Sequence, residues 1–190
     1  IARKYDENGN QLEYRAVVEK ISRDETEFPI QNSVFQAEGY DYRINVSGNQ
    51  QNGYNITNTL FGTTKLNINK EWINVDPIDI QVKITELDST NKNVGSLVAN
   101  INVDGTVNIS DSNGTLGESY INTENYKMIS QKETSWQTGY IEVPKYDSEG
   151  YEYKFSASEL TKGGFGTEIR ETLTDNTYTA NVKNYQGSIP

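Results

Sequence analysis

Leu66-Asn67-Ile68-Asn69-Lys70-Glu71-Trp72 decides how this chain is read. Leu66, Ile68, Lys70 and Trp72 fall on one side of a period of two, and Asn67, Asn69 and Glu71 on the other. That alternation marks a half-buried β-strand. The same period returns at Ile78, Ile80, Val82 and Ile84, and helical spacing is almost absent. Ser96–Val103, Ser119–Lys127, Gly139–Val143, Tyr151–Leu160, Thr167–Leu173 and Tyr178–Tyr185 read as further strands. The window from Ser119 to Ser130 also fits a short helix or a loop over a sheet edge. Asp104–Gly105, Asn113–Gly114 and Gly163–Gly164 punctuate the strands as turns. Many short strands with such turns predict an all-β sandwich or barrel.

Composition agrees and narrows the function. Only 34% of the 190 residues are apolar, but thirteen Tyr and five Phe are more aromatics than a disordered chain carries. A net charge of −10 disfavours nucleic acid and anionic membrane as partners. No Cys is present for a disulfide or a thiolate nucleophile, and no His for a general base or a typical zinc site. No segment has the roughly 18 apolar residues of a membrane-spanning helix, so no membrane insertion is expected of this sequence. No cofactor and no metal are expected. Acid-pair glycosidase chemistry needs only Asp and Glu, yet no such pair stands out from the surface acids.

The sequence repeats itself. Lys4-Tyr5-Asp6-Glu7-Asn8-Gly9 is echoed by Lys145-Tyr146-Asp147-Ser148-Glu149-Gly150. Aromatic strands are expected after each, Leu12–Glu19 and Tyr153–Glu159, and Tyr54–Asn58 has its counterpart in Ala180–Asn184. A boundary within Leu60–Thr64 divides the chain into 1–61, a partial copy, and 62–190, a complete one.

Alternation in the complete copy points three polar residues inward. Lys70 shares the face of Leu66, Ile68 and Trp72; Glu159 that of Tyr153, Phe155 and Ala157; Asn184 that of Tyr178, Ala180 and Val182. An unpaired charge buried there costs several kcal/mol, so these groups must pair or neutralise. A Lys beside a Trp is also the pattern of a snorkelling or cation–π residue, Glu159 fits an exposed strand end, and Asn184 fits a turn cap. Asn181 is the alternative amide, but parity puts it on the opposite face from Val182.

The ordered string Lys70-Glu71-Trp72, Trp136, Val143-Pro144-Lys145-Tyr146-Asp147, Gly150, Glu159, Asn184 resembles the B-type repeat of collagen-adhesin-like (Cna B-type) surface proteins of Gram-positive bacteria. It spans residues 66–187. Residues 1–60 resemble the C-terminal half of the same repeat, closing in Ile56-Thr57-Asn58-Thr59. The resemblance implies tandem immunoglobulin-like or transthyretin-like (inverse immunoglobulin) sandwiches in an extracellular, cell-wall-linked adhesin or pilus. It also implies a spontaneous isopeptide bond between Lys70 and Asn184, with Glu159 moving the proton. The chemistry is sound, because an apolar core lowers the pKa of an amine and frees its nucleophile. A carboxyl in the same surroundings keeps its proton and can donate it to the amide oxygen. Folding holds the groups at attacking distance.

In the partial copy the matching positions are Asn58 and Glu19. Parity turns Glu19 outward unless a bulge intervenes, and Lys4 belongs to a turn, so Asn58 is expected to remain unreacted. The implied role is a stalk or spacer rather than an enzyme, with neighbouring repeats as partners and host matrix engaged through another domain. The alternative is an adhesin module that itself binds a host matrix protein or carbohydrate. Tyr40, Tyr42, Tyr54, Tyr120 and Tyr126 fit a binding face or simple cross-strand packing. Asp88, Asp104, Asp111 and Glu118 lack the spacing of a calcium loop and read as turn acids.

Overall fold

The computed structural model describes residues 3–117 and 123–187, in two compact units, Ile1–Phe61 and Gly62–Pro190. Both are built from β-strands. In the first, β1 (Ile21–Arg23) and β2 (Thr26–Phe28) form a hairpin. An antiparallel sheet follows from β3 (Ile30–Gln31), β4 (Val34–Ala37), β5 (Tyr40–Asn49) and β6 (Gly53–Phe61), in chain order. Its small core includes Phe35 and Ile44, with Tyr42 stacked on Phe35 at 5.1 Å between ring centres.

The second unit carries β7 (Thr63–Ile73), β8 (Ile80–Leu87), β9 (Asn93–Ile101) and β10 (Val107–Gly114). A single 3-10 turn at Thr123–Asn125 precedes β11 (Met128–Gln131), β12 (Ser135–Thr138) and β13 (Ile141–Pro144). β14 (Lys154–Glu159), β15 (Gly166–Thr174) and β16 (Thr177–Tyr185) complete it. One sheet runs β10-β9-β8-β14, and the other β11-β12-β7-β16-β15, with β13 also paired to β7. Both supply alternate residues to one core: Leu66, Ile68 and Trp72 from β7, Ile80, Val82 and Ile84 from β8, and Tyr178, Ala180 and Val182 from β16. The fold is all-β and sandwich-like.

Two features of this unit position its interior. β7 and β16 are parallel neighbours, with Val182 opposite Lys70 and Asn184 opposite Trp72. β15 and β16 are joined by a two-residue turn, Asp175–Asn176, with both residues at positive φ. Such a turn matches strand twist and fixes register, so Thr167 falls directly opposite Asn184.

The two Lys-Tyr-Asp turns share a hydrogen-bond pattern. Asp6 Oδ1 accepts from the Asn8 and Asn10 amides, and Asp147 Oδ1 from those of Glu149 and Tyr151. Leu12 N–H donates to Lys4 O, as Tyr153 N–H does to Lys145 O.

Several expectations need correction. Leu12–Glu19 is not a strand: no partner strand runs beside it among the described residues, and a strand unpaired on both edges has no ladder to hold it. Side chains hold this segment instead, Gln50 accepting from Tyr14 N–H and the Tyr54 hydroxyl donating to Tyr14 O. Asn113–Gly114 is not a hairpin turn but the end of β10, a strand that polar Asn108, Ser110 and Ser112 had disguised. Of the proposed strand Ser119–Lys127, the described part opens with the 3-10 turn; residues 118–122 lie outside the described residues, and with them Glu118 and Tyr120. β11 and β12 lack the apolar alternation that marks β13: Met128 and Ile129 are adjacent, and Trp136 is the one apolar residue of β12.

Candidate functional site

Three inward-facing polar residues meet inside the second unit. Lys70 reaches this point from β7, Asn184 from β16 in the same sheet, and Glu159 from β14 in the other. Asn184 is fully buried, and the side chains of Lys70 and Glu159 are each 1% exposed. Lys70 Nζ lies 3.4 Å from Glu159 Oε1 and in contact with Asn184 Oδ1. Asn184 Nδ2 donates to Glu159 Oε2 at 2.6 Å. One carboxyl therefore addresses the amine with one oxygen and the amide nitrogen with the other.

Aromatic rings close the site around the amine. Lys70 Nζ is 4.1 Å from the centre of the Trp72 ring, and Trp72 packs edge-on against Trp136 and Phe165. Burial pushes the Lys70 amine down to about 8, against the opposing pull of Glu159. About a tenth of the amine is then neutral at pH 7, far more than for an exposed lysine.

The amide orientation differs from expectation. The carboxyl was expected to address the carbonyl oxygen of Asn184; it meets the nitrogen instead, and the oxygen faces Lys70. A fourth residue, Thr167, accounts for this: its hydroxyl donates to Glu159 Oε2 at 2.9 Å and accepts from Asn184 Nδ2 at 2.9 Å.

No family profile, curated protein or solved structure matches the chain. What the site can do rests on its own geometry.

The remaining candidates lie elsewhere. Asn181 is on the outer face, where its Oδ1 accepts from Asn69 Nδ2 at 3.0 Å. Glu19 is exposed outside any strand, and Asn58 is exposed on β6 opposite Ile44, so the first unit has no buried counterpart of the cluster among its described residues. Lys4 is exposed in its turn. Asp88 and Asp104 accept from the backbone amides of Thr90 and Thr106 in their own turns. Tyr126 is buried, whereas Tyr40 is half exposed.

A second buried carboxyl was missed in the sequence. Glu86 continues the inward face of Ile80, Val82 and Ile84 on β8 and is fully buried. Its Oε2 meets the Thr115 hydroxyl and its Oε1 has no hydrogen-bond partner among the described residues. Burial pushes it up to about 6, so the folded state holds this proton more tightly than the unfolded chain does. The resulting stability is complete below pH about 4.5 and lost as pH rises through about 6. Glu86→Gln should therefore gain about 2 kcal/mol on the parent protein between pH 4.5 and 7.5. Urea midpoints at the two pH values test this, and an equal difference at both would remove Glu86 as the cause.

Proposed function

We propose that residues 62–190 form a load-bearing spacer in the stalk of a Gram-positive cell-wall surface protein, an adhesin or a pilus. In this reading the unit is a Cna B-type repeat with an inverse immunoglobulin-like sandwich, and residues 1–61 are the C-terminal half of another copy. The observation that carries it is the buried Lys70–Glu159–Asn184 cluster, which brings together strands at opposite ends of the unit's sequence. The shared hydrogen-bond pattern of the two Lys-Tyr-Asp turns supports the repeat.

The residues suit one reaction. Glu159 Oε1 takes a proton from the Lys70 ammonium, and the free amine attacks Cγ of Asn184. The Cγ–Nδ2 bond breaks as Nδ2 receives a proton from Glu159, and ammonia leaves. Nζ gives its second proton to Glu159, so a Cγ–Nζ amide and a neutral Glu159 carboxyl remain, and no oxidant or cofactor is consumed. As a static ion pair the cluster would be a poor investment. Desolvating both charges costs several kcal/mol per ion, and apolar residues of similar volume would hold the core at least as well. Crosslinking offsets that cost, because the product is neutral.

The mechanical consequence follows from the parallel pairing of β7 and β16. A pull between Thr63 and Tyr185 shears these strands past each other, and a bond from Lys70 to Asn184 carries the load between them covalently.

Intact mass of the 190-residue chain tests the proposal. One ammonia should be missing, a loss of about 17 Da, with a branched peptide joining Lys70 to Asn184. A succinimide gives the same mass but no branch. Asn58 lacks a buried amine and should stay unmodified. An unmodified mass would leave the fold intact and remove the crosslink.

A further inference from the structure

We infer that Thr167 is a positioning residue for this crosslinking, setting the Asn184 carboxamide with its leaving nitrogen toward Glu159 and its carbonyl oxygen toward Lys70. The inference rests on the proposed Lys70–Asn184 bond. An amide side chain fits a site about equally well in two orientations related by a half-turn, and only its hydrogen-bond partners choose between them. A hydroxyl has one proton to give, and Thr167 spends it on Glu159 Oε2. What remains on its oxygen is acceptor capacity. Only the NH2 end of the amide satisfies that, and Nδ2 does so at 2.9 Å while also donating to Glu159.

The reverse orientation would set the carbonyl oxygen against two acceptors and the leaving nitrogen against the attacking amine. Protonation of the leaving group by Glu159 would then have no path. The observed orientation places bond formation on the Lys70 side and bond cleavage on the Glu159 side, so one carboxyl serves both ends of the transfer. Of the four residues, Thr167 is the exposed one, on edge strand β15, so ammonia released beside it departs toward solvent. Its place is set by the two-residue Asp175–Asn176 turn, which brings it opposite Asn184.

Cell-free synthesis of the full chain, sampled over time by intact mass, measures the rate of ammonia loss. Thr167→Val keeps the β-branched shape and removes the hydroxyl, and should slow the reaction about tenfold. Thr167→Ser keeps the hydroxyl and should react at the parent rate. Fluorescence of the buried Trp72 and Trp136 confirms that each variant folds. A Thr167→Val protein that reacts at the parent rate overturns the inference. So does a Thr167→Ser protein as slow as Thr167→Val, which would assign Thr167 to packing. If the parent chain loses no ammonia, the crosslink itself is wrong, an outcome distinct from either.

Discussion

Asn184→Ala should lower the unfolding midpoint of the second unit by about 15–20 °C. The parent bond would close a loop between residues 114 apart in sequence. Closing a loop of that size removes unfolded-state entropy worth about 4–5 kcal/mol in the chain-entropy account. In a unit this size each kcal/mol moves the midpoint by about 4 °C. The substitution leaves the Lys70–Glu159 pair in place, so most of the loss is the crosslink. Both tryptophans of the chain, Trp72 and Trp136, are in the core of this unit, so a fluorescence melt reads it selectively. A midpoint within a few degrees of the parent would mean that no covalent link was lost.

Glu159→Gln should be the more damaging change. It stops the reaction by removing the proton carrier, so the mass stays unmodified. It also strips the counter-charge from an amine whose side chain is 1% exposed. Breaking a buried pair from one side costs about 3–5 kcal/mol beyond the missing crosslink. Glu159→Gln should thus be less stable than Asn184→Ala, although neither carries the bond. The gap has a sign in pH. Lys70 is held below its ordinary value already, and without Glu159 it falls further. The unfolded chain then binds the extra proton, and stability of Glu159→Gln rises with pH relative to Asn184→Ala. Urea midpoints of the two variants from pH 5.5 to 8 measure this, because above about 8 Lys70 of Asn184→Ala is deprotonated too and the two curves run together. Parallel curves would show that Lys70 does not depend on Glu159 for its charge.

Much of this cluster was legible because β7 and β16 alternate cleanly over nine or more residues, so parity alone placed Lys70 and Asn184. Glu86 was equally legible, two residues beyond Ile84 on the same face, although an acidic residue after Ile80, Val82 and Ile84 also fits the solvent-exposed end of a strand. Thr167 was harder. Its position opposite Asn184 follows only once Asp175–Asn176 is recognised as a two-residue hairpin, and threonine on an edge strand is otherwise unremarkable. Leu12–Glu19 shows the limit of pattern, since alternation states what a strand would bury and not whether a neighbour exists to pair with it. The amide orientation at Asn184 lay beyond sequence altogether, being chosen by a hydroxyl contributed from another strand.

The separation of Lys70 and Asn184 along the chain has a further consequence. Once joined, everything between them becomes a closed ring, with the rest of the chain as two tails. A protease that cuts once inside the ring, at an exposed turn such as Asp104–Gly105 or Gly163–Gly164, opens it but frees no fragment. Both tails stay covalently connected through the side-chain amide, and release of a piece requires two cuts. The proposed bond, besides carrying tension, would thereby give the unit tolerance to nicking, with no added disulfide and no larger core.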